Sequence, residues 1–135
     1  NNTEAINKLT DIIDKNFTGL CMVNLCDFDA LYGHTRDVEG YGRAIEELDV
    51  DIPMIINKLD LDDLLIVTAD HGNDPTFVGN GHTRENLPVI IYSRNFKNPK
   101  RLPQFSTLAN IGATIADNFD LTKPEIGESI LDELD

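Results

Sequence analysis

No stretch of the sequence approaches the ~20 consecutive apolar residues of a bilayer-spanning helix. Asn1-Asn2-Thr3-Glu4 has neither the basic region nor the apolar core of a secretory signal. Basic residues are scarce too: 11 Lys and Arg stand against 24 Asp and Glu, a net charge of -13. A surface of that sign repels phosphate backbones and anionic headgroups, which argues against nucleic acid or membrane as a partner, and with neither span nor signal in the sequence a cytoplasmic location is expected. The same charge favours multivalent cations, and a phosphorylated substrate would need bound divalent metal to invert the field locally. The sequence contains no internal repeat, low-complexity segment or Gly/Ser linker. It also lacks an initiating Met and opens almost directly into helix, and is therefore expected to be a piece of a longer protein.

Only two cysteines occur, Cys21 and Cys26. Five positions apart on a strand they point to opposite faces, so neither a zinc clasp nor an easy disulfide results, and buried reduced thiols are expected. At 135 residues with 41% apolar content, the chain is long enough for one domain, residues 1–135, with a real core.

Along the chain, Ala5, Ile6, Leu9, Ile12 and Ile13 have helical spacing, predicting a helix over residues 3–16 capped by Asn2 or Thr3. Leu20 to Leu25 is short and mostly apolar, which suits a strand buried on both faces of a parallel sheet. Tyr41, Ile45, Leu48, Ile52, Ile55 and Leu59 keep their phase through Pro53, predicting one helix over 38–59 kinked near Asp49 rather than two helices meeting at Asp51. Leu64 to Thr68 reads as a second buried strand, joined to the first by a right-handed parallel crossover. Leu87 to Tyr92 reads as a third strand, and Ser106 as the cap of a helix through Leu108, Ile111, Ile115 and Phe119. Residues 127–131 add a short helix. The expected fold is α/β, a mostly parallel sheet flanked by helices.

The three histidines, His34, His71 and His82, all sit in segments flanked by glycine or aspartate rather than on an apolar face. The first follows Asp27-Phe28-Asp29-Ala30-Leu31-Tyr32-Gly33. The second lies in Thr68-Ala69-Asp70-His71-Gly72-Asn73-Asp74-Pro75-Thr76, and the third in Gly81-His82-Thr83-Arg84. Carboxylates and imidazoles on loops at adjacent strand ends are ligands suited to Mn²⁺, Zn²⁺ or Mg²⁺. Asp29, His34, Asp70, His71 and His82 make five donors, nearly but not quite a complete two-metal site. A lone Asp-His pair is more often a turn with a solvated imidazole; three histidines in such surroundings shift the balance. Of Asp27 and Asp29 only one is expected to bind metal, and Asp74 before Pro75 reads as a turn residue. Thr83 and Arg84 are either phosphate contacts or plain surface, and Lys97, Lys100 and Arg101 a basic surface loop.

Asp29-x4-His34, the Asp70-His71-Gly72-Asn73-Asp74-Pro75-Thr76 run and His82-Thr83-Arg84-Glu85 closely resemble the carboxyl-terminal part of the phosphopentomutase core domain, in the alkaline phosphatase superfamily, from about Phe17 onward. The resemblance implies that Asp29, His34 and His82 hold one metal and that Asp70 and His71 hold the other, the pair usually being two Mn²⁺. It implies a parent enzyme that interconverts ribose 1-phosphate, or its deoxy form, with the 5-phosphate through a phosphothreonine. No counterpart of the nucleophile segment, of a further aspartate ligand or of the cap domain is found in residues 1–135. On this reading the chain is inactive alone and its partners are a pentose phosphate and the amino-terminal half of its own core. Another enzyme of the superfamily, such as a cofactor-independent phosphoglycerate mutase, and a non-catalytic acidic metal-binding module are the alternatives.

Overall fold

The computed structural model describes residues 1–134. In chain order it has α1 (Asn2–Ile13), a π-helical turn (Phe28–Gly33), α2 (Val38–Lys58), β1 (Leu65–Thr68), β2 (Val89–Tyr92), α3 (Ala109–Asn118) and a 3₁₀ turn (Leu131–Glu133). Helix α1 buries Ile6 and Thr10, and α2 buries Gly40, Ala44 and Ile55. Lys58 at the end of α2 grips Asp14, just past α1, at 2.6 Å. The core comprises Ile6, Ala44, Ile55, Leu59, Ala113 and Ile130.

Helix α2 runs unbroken through Pro53. Its buried line is Gly40, Ala44, Ile55 and Leu59, whereas Ile45, part of the expected apolar stripe, is 51% exposed. The caps also differ from expectation. Asn1, not Asn2 or Thr3, accepts from the Glu4 amide at 2.8 Å. The Asn2 side chain is committed elsewhere, accepting from the Asp27 amide at 3.1 Å while the Asn2 amide donates to Asp27 Oδ2 at 2.7 Å. Helix α3 begins after Ser106, and Thr107 Oγ1 accepts from the Ala109 amide instead.

The sheet is where expectation and structure part. β1 and β2 pair antiparallel, Leu65 opposite Tyr92 and Thr68 opposite Val89, and form the one sheet among the described residues. Leu20 to Leu25 is extended but carries no strand ladder. Its burial alternates: Cys21, Val23 and Leu25 are partly covered, while Leu20 and Met22 are 60% and 86% exposed. A strand exists only with a hydrogen-bonded neighbour, and none of the described residues pairs with this segment in a ladder. The mostly parallel sheet is thus replaced by a two-stranded antiparallel one. The cysteines follow suit: Cys21 is half-exposed and Cys26 exposed, both free, rather than buried.

Antiparallel pairing puts the end of β1 beside the start of β2, so residues 69–88 form one long loop at a single edge of the sheet. Thr68 Oγ1 ties the base by donating to the Pro88 carbonyl at 2.9 Å. No helix among the described residues is long and apolar enough to cross a membrane.

A candidate metal centre

The π-helical turn explains the Asp29-x4-His34 spacing. Residues five apart on an α-helix lie about 140° apart, but an i→i+5 turn stacks them. Here the His34 amide donates to the Asp29 carbonyl at 3.0 Å, bringing both side chains to one side. Such single π turns are frequent at functional sites. Asp27, two residues earlier, is occupied at the start of α1, where its charge also favours the helix N-terminus.

The 69–88 loop supplies the other histidines. Gly72 and Thr83 form an isolated antiparallel bridge, the Thr83 amide donating to the Gly72 carbonyl at 2.9 Å, so that His71 and His82 flank it. Thr83 Oγ1 accepts from the Asp74 amide at 2.7 Å and donates to Glu85 Oε2 at 2.6 Å. This hydroxyl is therefore buried and engaged in closing the loop, while Arg84 beside it is exposed. Asp74 Oδ1 accepts from both the amide and hydroxyl of Thr76, the turn expected of it.

All three imidazoles converge on one oxygen. Asp29 Oδ1 lies 3.4 Å from His34 Nε2, 3.3 Å from His82 Nε2 and 4.0 Å from His71 Nε2. The His34 and His82 Nε2 atoms are 3.2 Å apart. Asp70 Oδ1 extends the string, 3.7 Å from His71 Nε2. The His71 and His82 rings stack with centroids 3.8 Å apart. Donor atoms of Asp29, His71 and His82 all fall within 4.8 Å of one another. The five sequence-predicted donors thus form one continuous cluster, with Asp29 at its hub and Asp70 at its end beside His71.

The donor set fits a divalent cation. The three atoms Asp29 Oδ1, His34 Nε2 and His82 Nε2 form a triangle with edges of 3.2, 3.3 and 3.4 Å. Ligands about 2.0–2.1 Å from a tetrahedral ion are separated by roughly 3.3 Å. His34 Nδ1 donates to the Asn80 carbonyl at 2.6 Å, which assigns the tautomer and leaves its Nε2 lone pair facing the triangle. His71 Nδ1 is likewise directed at a carbonyl, that of Gly72, at 3.3 Å. Two imidazole nitrogens 3.2 Å apart beside a carboxylate need a proton or a cation among them, and three aimed donors are the arrangement a metal satisfies.

Burial opposes ionisation of Asp29, but the hydrogen bond from Asn73 and the charges of His34, His71 and His82 outweigh it, holding the carboxyl below its ordinary value of 3.8. The side chain is 36% exposed, so solvent screens these interactions. A depressed pKa means that the fold favours the ionised form. The associated stability is present above the ordinary value and is lost as pH falls through the lowered one. In a carboxyl-detected NMR titration, Asp29 is expected to have a midpoint below that of free aspartate, and Asn73→Ala to move it upward. A native midpoint at or above the ordinary value would contradict this account.

Two residues of the site carry no metal-ligand chemistry in the sequence. Asn73 Nδ2 donates to Asp29 Oδ1 at 2.6 Å, and Arg36 Nη1 donates to Asn73 Oδ1 at 2.6 Å. Asn73 lies within the Asp70-to-Thr76 run but is neither acid nor base. Arg36 reads as one more surface charge; its signal is position, two residues past His34 in a chain poor in basic residues.

With this geometry in place, the sequence profile of the Metalloenzyme superfamily matches residues 1–123.

Proposed function

The chain belongs to the Metalloenzyme superfamily, a metal-dependent, alkaline phosphatase-like family, and from that premise we propose that residues 1–135 supply most of the two-metal cradle of a phosphopentomutase. The observation that carries the metal reading is the near-equilateral triangle of Asp29 Oδ1, His34 Nε2 and His82 Nε2. On this proposal Asp29, His34 and His82 hold one divalent ion, while Asp70 and His71 hold the second together with ligands from outside the chain. Mn²⁺ is the ion proposed for both positions. Bound there, the two ions would neutralise charge on a transferring phosphoryl group and orient its oxygens.

The chain's own residues have the following work. Asp29 brings the one carboxylate oxygen shared by three imidazoles, and His34 and His71 keep their Nε2 lone pairs available through Nδ1–H bonds to backbone carbonyls. Thr83 closes the loop that presents His82, and Arg84 remains the exposed cation next to the site, free to meet a phosphate. The proposed substrates are ribose or deoxyribose 1-phosphate and 5-phosphate. The phosphothreonine that would carry the phosphoryl group has no counterpart in residues 1–135, so this chain alone is expected to be inactive. The pentomutase reading rests on the motif resemblance, which extends past the metal donors through Asn73-Asp74-Pro75-Thr76 and His82-Thr83-Arg84-Glu85.

The test is to supply Mn²⁺ and ribose 1-phosphate to a full-length protein containing this sequence and follow ribose 5-phosphate. Turnover that falls by three orders of magnitude or more in His82→Ala is the expected result. Good activity on a phosphoglycerate or a phosphodiester, with none on the pentose phosphate, would overturn the pentomutase assignment while leaving the metal reading intact.

A further inference from the structure

We propose that Arg36 is a positioning residue for the metal cradle, acting through Asn73 on Asp29 and through the Gly79–Gly81 carbonyls on His34 and His82; this rests on the cradle reading above. The Arg36 guanidinium addresses five acceptors. They are the carbonyls of Gly33 and Asp74, both 2.9 Å from Nη1, Asn73 Oδ1 at 2.6 Å, the Gly81 carbonyl 2.6 Å from Nη2, and the Gly79 carbonyl, which accepts from Nε. These acceptors come from the π-helical turn and from both ends of the loop segment that carries His82. One cation therefore fastens the two halves of the site together across more than forty residues of sequence.

The chemistry of the contact has a direction. A guanidinium can only donate, so the Asn73 oxygen must face Arg36 and its NH₂ must face the other way, toward Asp29 Oδ1. Asn73 is buried, so its amide is held in this sense by the protein rather than by solvent. The amide thus fills one side of Asp29 Oδ1 and leaves the other facing the imidazoles. Meanwhile Gly79 and Gly81, both held by Arg36, bracket Asn80, whose carbonyl accepts from His34 Nδ1. Arg36 therefore sets both the free face of the carboxylate and the tautomer of the histidine. Its own backbone is left-handed, φ 57°, a conformation a non-glycine residue seldom keeps without outside support. Lysine retains the charge but lacks the planar fork, so Arg36→Lys separates geometry from electrostatics.

The experiment compares the native chain with Arg36→Lys, Asn73→Ala, the double variant, and Arg43→Lys as a control at an exposed ion pair. Mn²⁺ affinity is read from the electron paramagnetic resonance signal of the free ion. The His34 tautomer is read, without metal, from long-range ¹H–¹⁵N correlations. Arg36→Lys and Asn73→Ala are each expected to weaken Mn²⁺ binding by about 10-fold or more, as loss of partners that orient metal ligands does. The double variant is expected to lose no more than the weaker single variant already does, because the two residues act in series. Arg36→Lys should also convert His34 from the Nδ1–H form to a mixture, with Arg43→Lys unchanged in both readouts.

An unchanged tautomer or Mn²⁺ affinity within about twofold of native in Arg36→Lys overturns the proposal, and so do losses that simply add. If circular dichroism shows Arg36→Lys to be unfolded, Asn73→Ala decides, and native-like affinity there overturns it equally. A native chain that takes up no Mn²⁺ defeats the cradle reading itself, and the tautomer comparison then decides the role of Arg36 separately.

Discussion

Asp29→Ala is expected to abolish divalent-metal binding by the chain, with Mn²⁺ affinity falling at least about 100-fold in calorimetric titration. Asp29 Oδ1 lies within 4.0 Å of all three imidazole Nε2 atoms. Changing residues that merely orient metal ligands costs 10–100-fold in affinity, and Asp29 is itself the hub. Its removal takes the only carboxylate out of the triangle and leaves His34 and His82, neutral donors that hold a divalent cation less strongly than a set containing an anionic oxygen. The same loss appears as a missing stabilisation. At a Mn²⁺ concentration 100 times its Kd, binding raises native stability by about 2.7 kcal/mol, and the variant should show no rise in melting temperature. Asp29→Asn, which keeps the shape and removes the charge, should resemble alanine. If Asp29→Ala bound Mn²⁺ within about threefold of native, the hub assignment would fall.

Gly33→Ala is expected to damage stability and metal binding together. A Cβ at position 33 would lie 2.5 Å from Asn73 Nδ2, 2.7 Å from Asn73 Cγ and 2.9 Å from the Phe28 carbonyl. Two of these atoms belong to the amide that holds Asp29, so relief of the clash has to move Asn73 away from the carboxylate. Overpacking of this kind costs about 1–3 kcal/mol, and loss of the Asn73 contact should weaken Mn²⁺ by roughly 10-fold or more. Gly42→Ala provides the contrast: nothing lies within 4 Å of its added Cβ, and in mid-helix alanine should stabilise by about 0.5–1 kcal/mol. A Gly33→Ala protein that melted and bound metal like the native chain would show that the turn yields without disturbing the site.

These two residues also mark how far the sequence could be read. Asp29 stood out because its chemistry is explicit: a carboxylate close to one of only three histidines, in a glycine-flanked segment, is a donor type that residue identity alone reveals. Gly33 and Arg36 did not, because their importance lies in what they touch. The close approach of Gly33 to Asn73 spans forty residues of sequence, and the reach of Arg36 to Gly81 spans forty-five. Local composition carries no trace of these contacts. Helices were legible for the converse reason: their hydrogen bonds join residues four apart, so the phase running through Pro53 in α2 is a local property, although which side of that helix is buried was not. The sheet was read with the wrong sense. A short apolar run fits a parallel or an antiparallel strand equally well, and Leu20 to Leu25 has the composition of a strand without a neighbour to make it one.

By itself, then, the sequence determined the donor chemistry, three imidazoles and two carboxylates in turn-rich segments of an acidic chain, and the helices that frame them, because both depend on residue type and short-range spacing. The tertiary structure alone decided that Asp29 is the shared hub, that Arg36 and Asn73 fasten it, and that β1 and β2 run antiparallel, which brings the two ends of the loop carrying His71 and His82 together. The physical reason is the range of the interactions. Convergence to within 3.2–3.4 Å depends on hydrogen bonds between segments forty or more residues apart, and these exist only once the chain has folded.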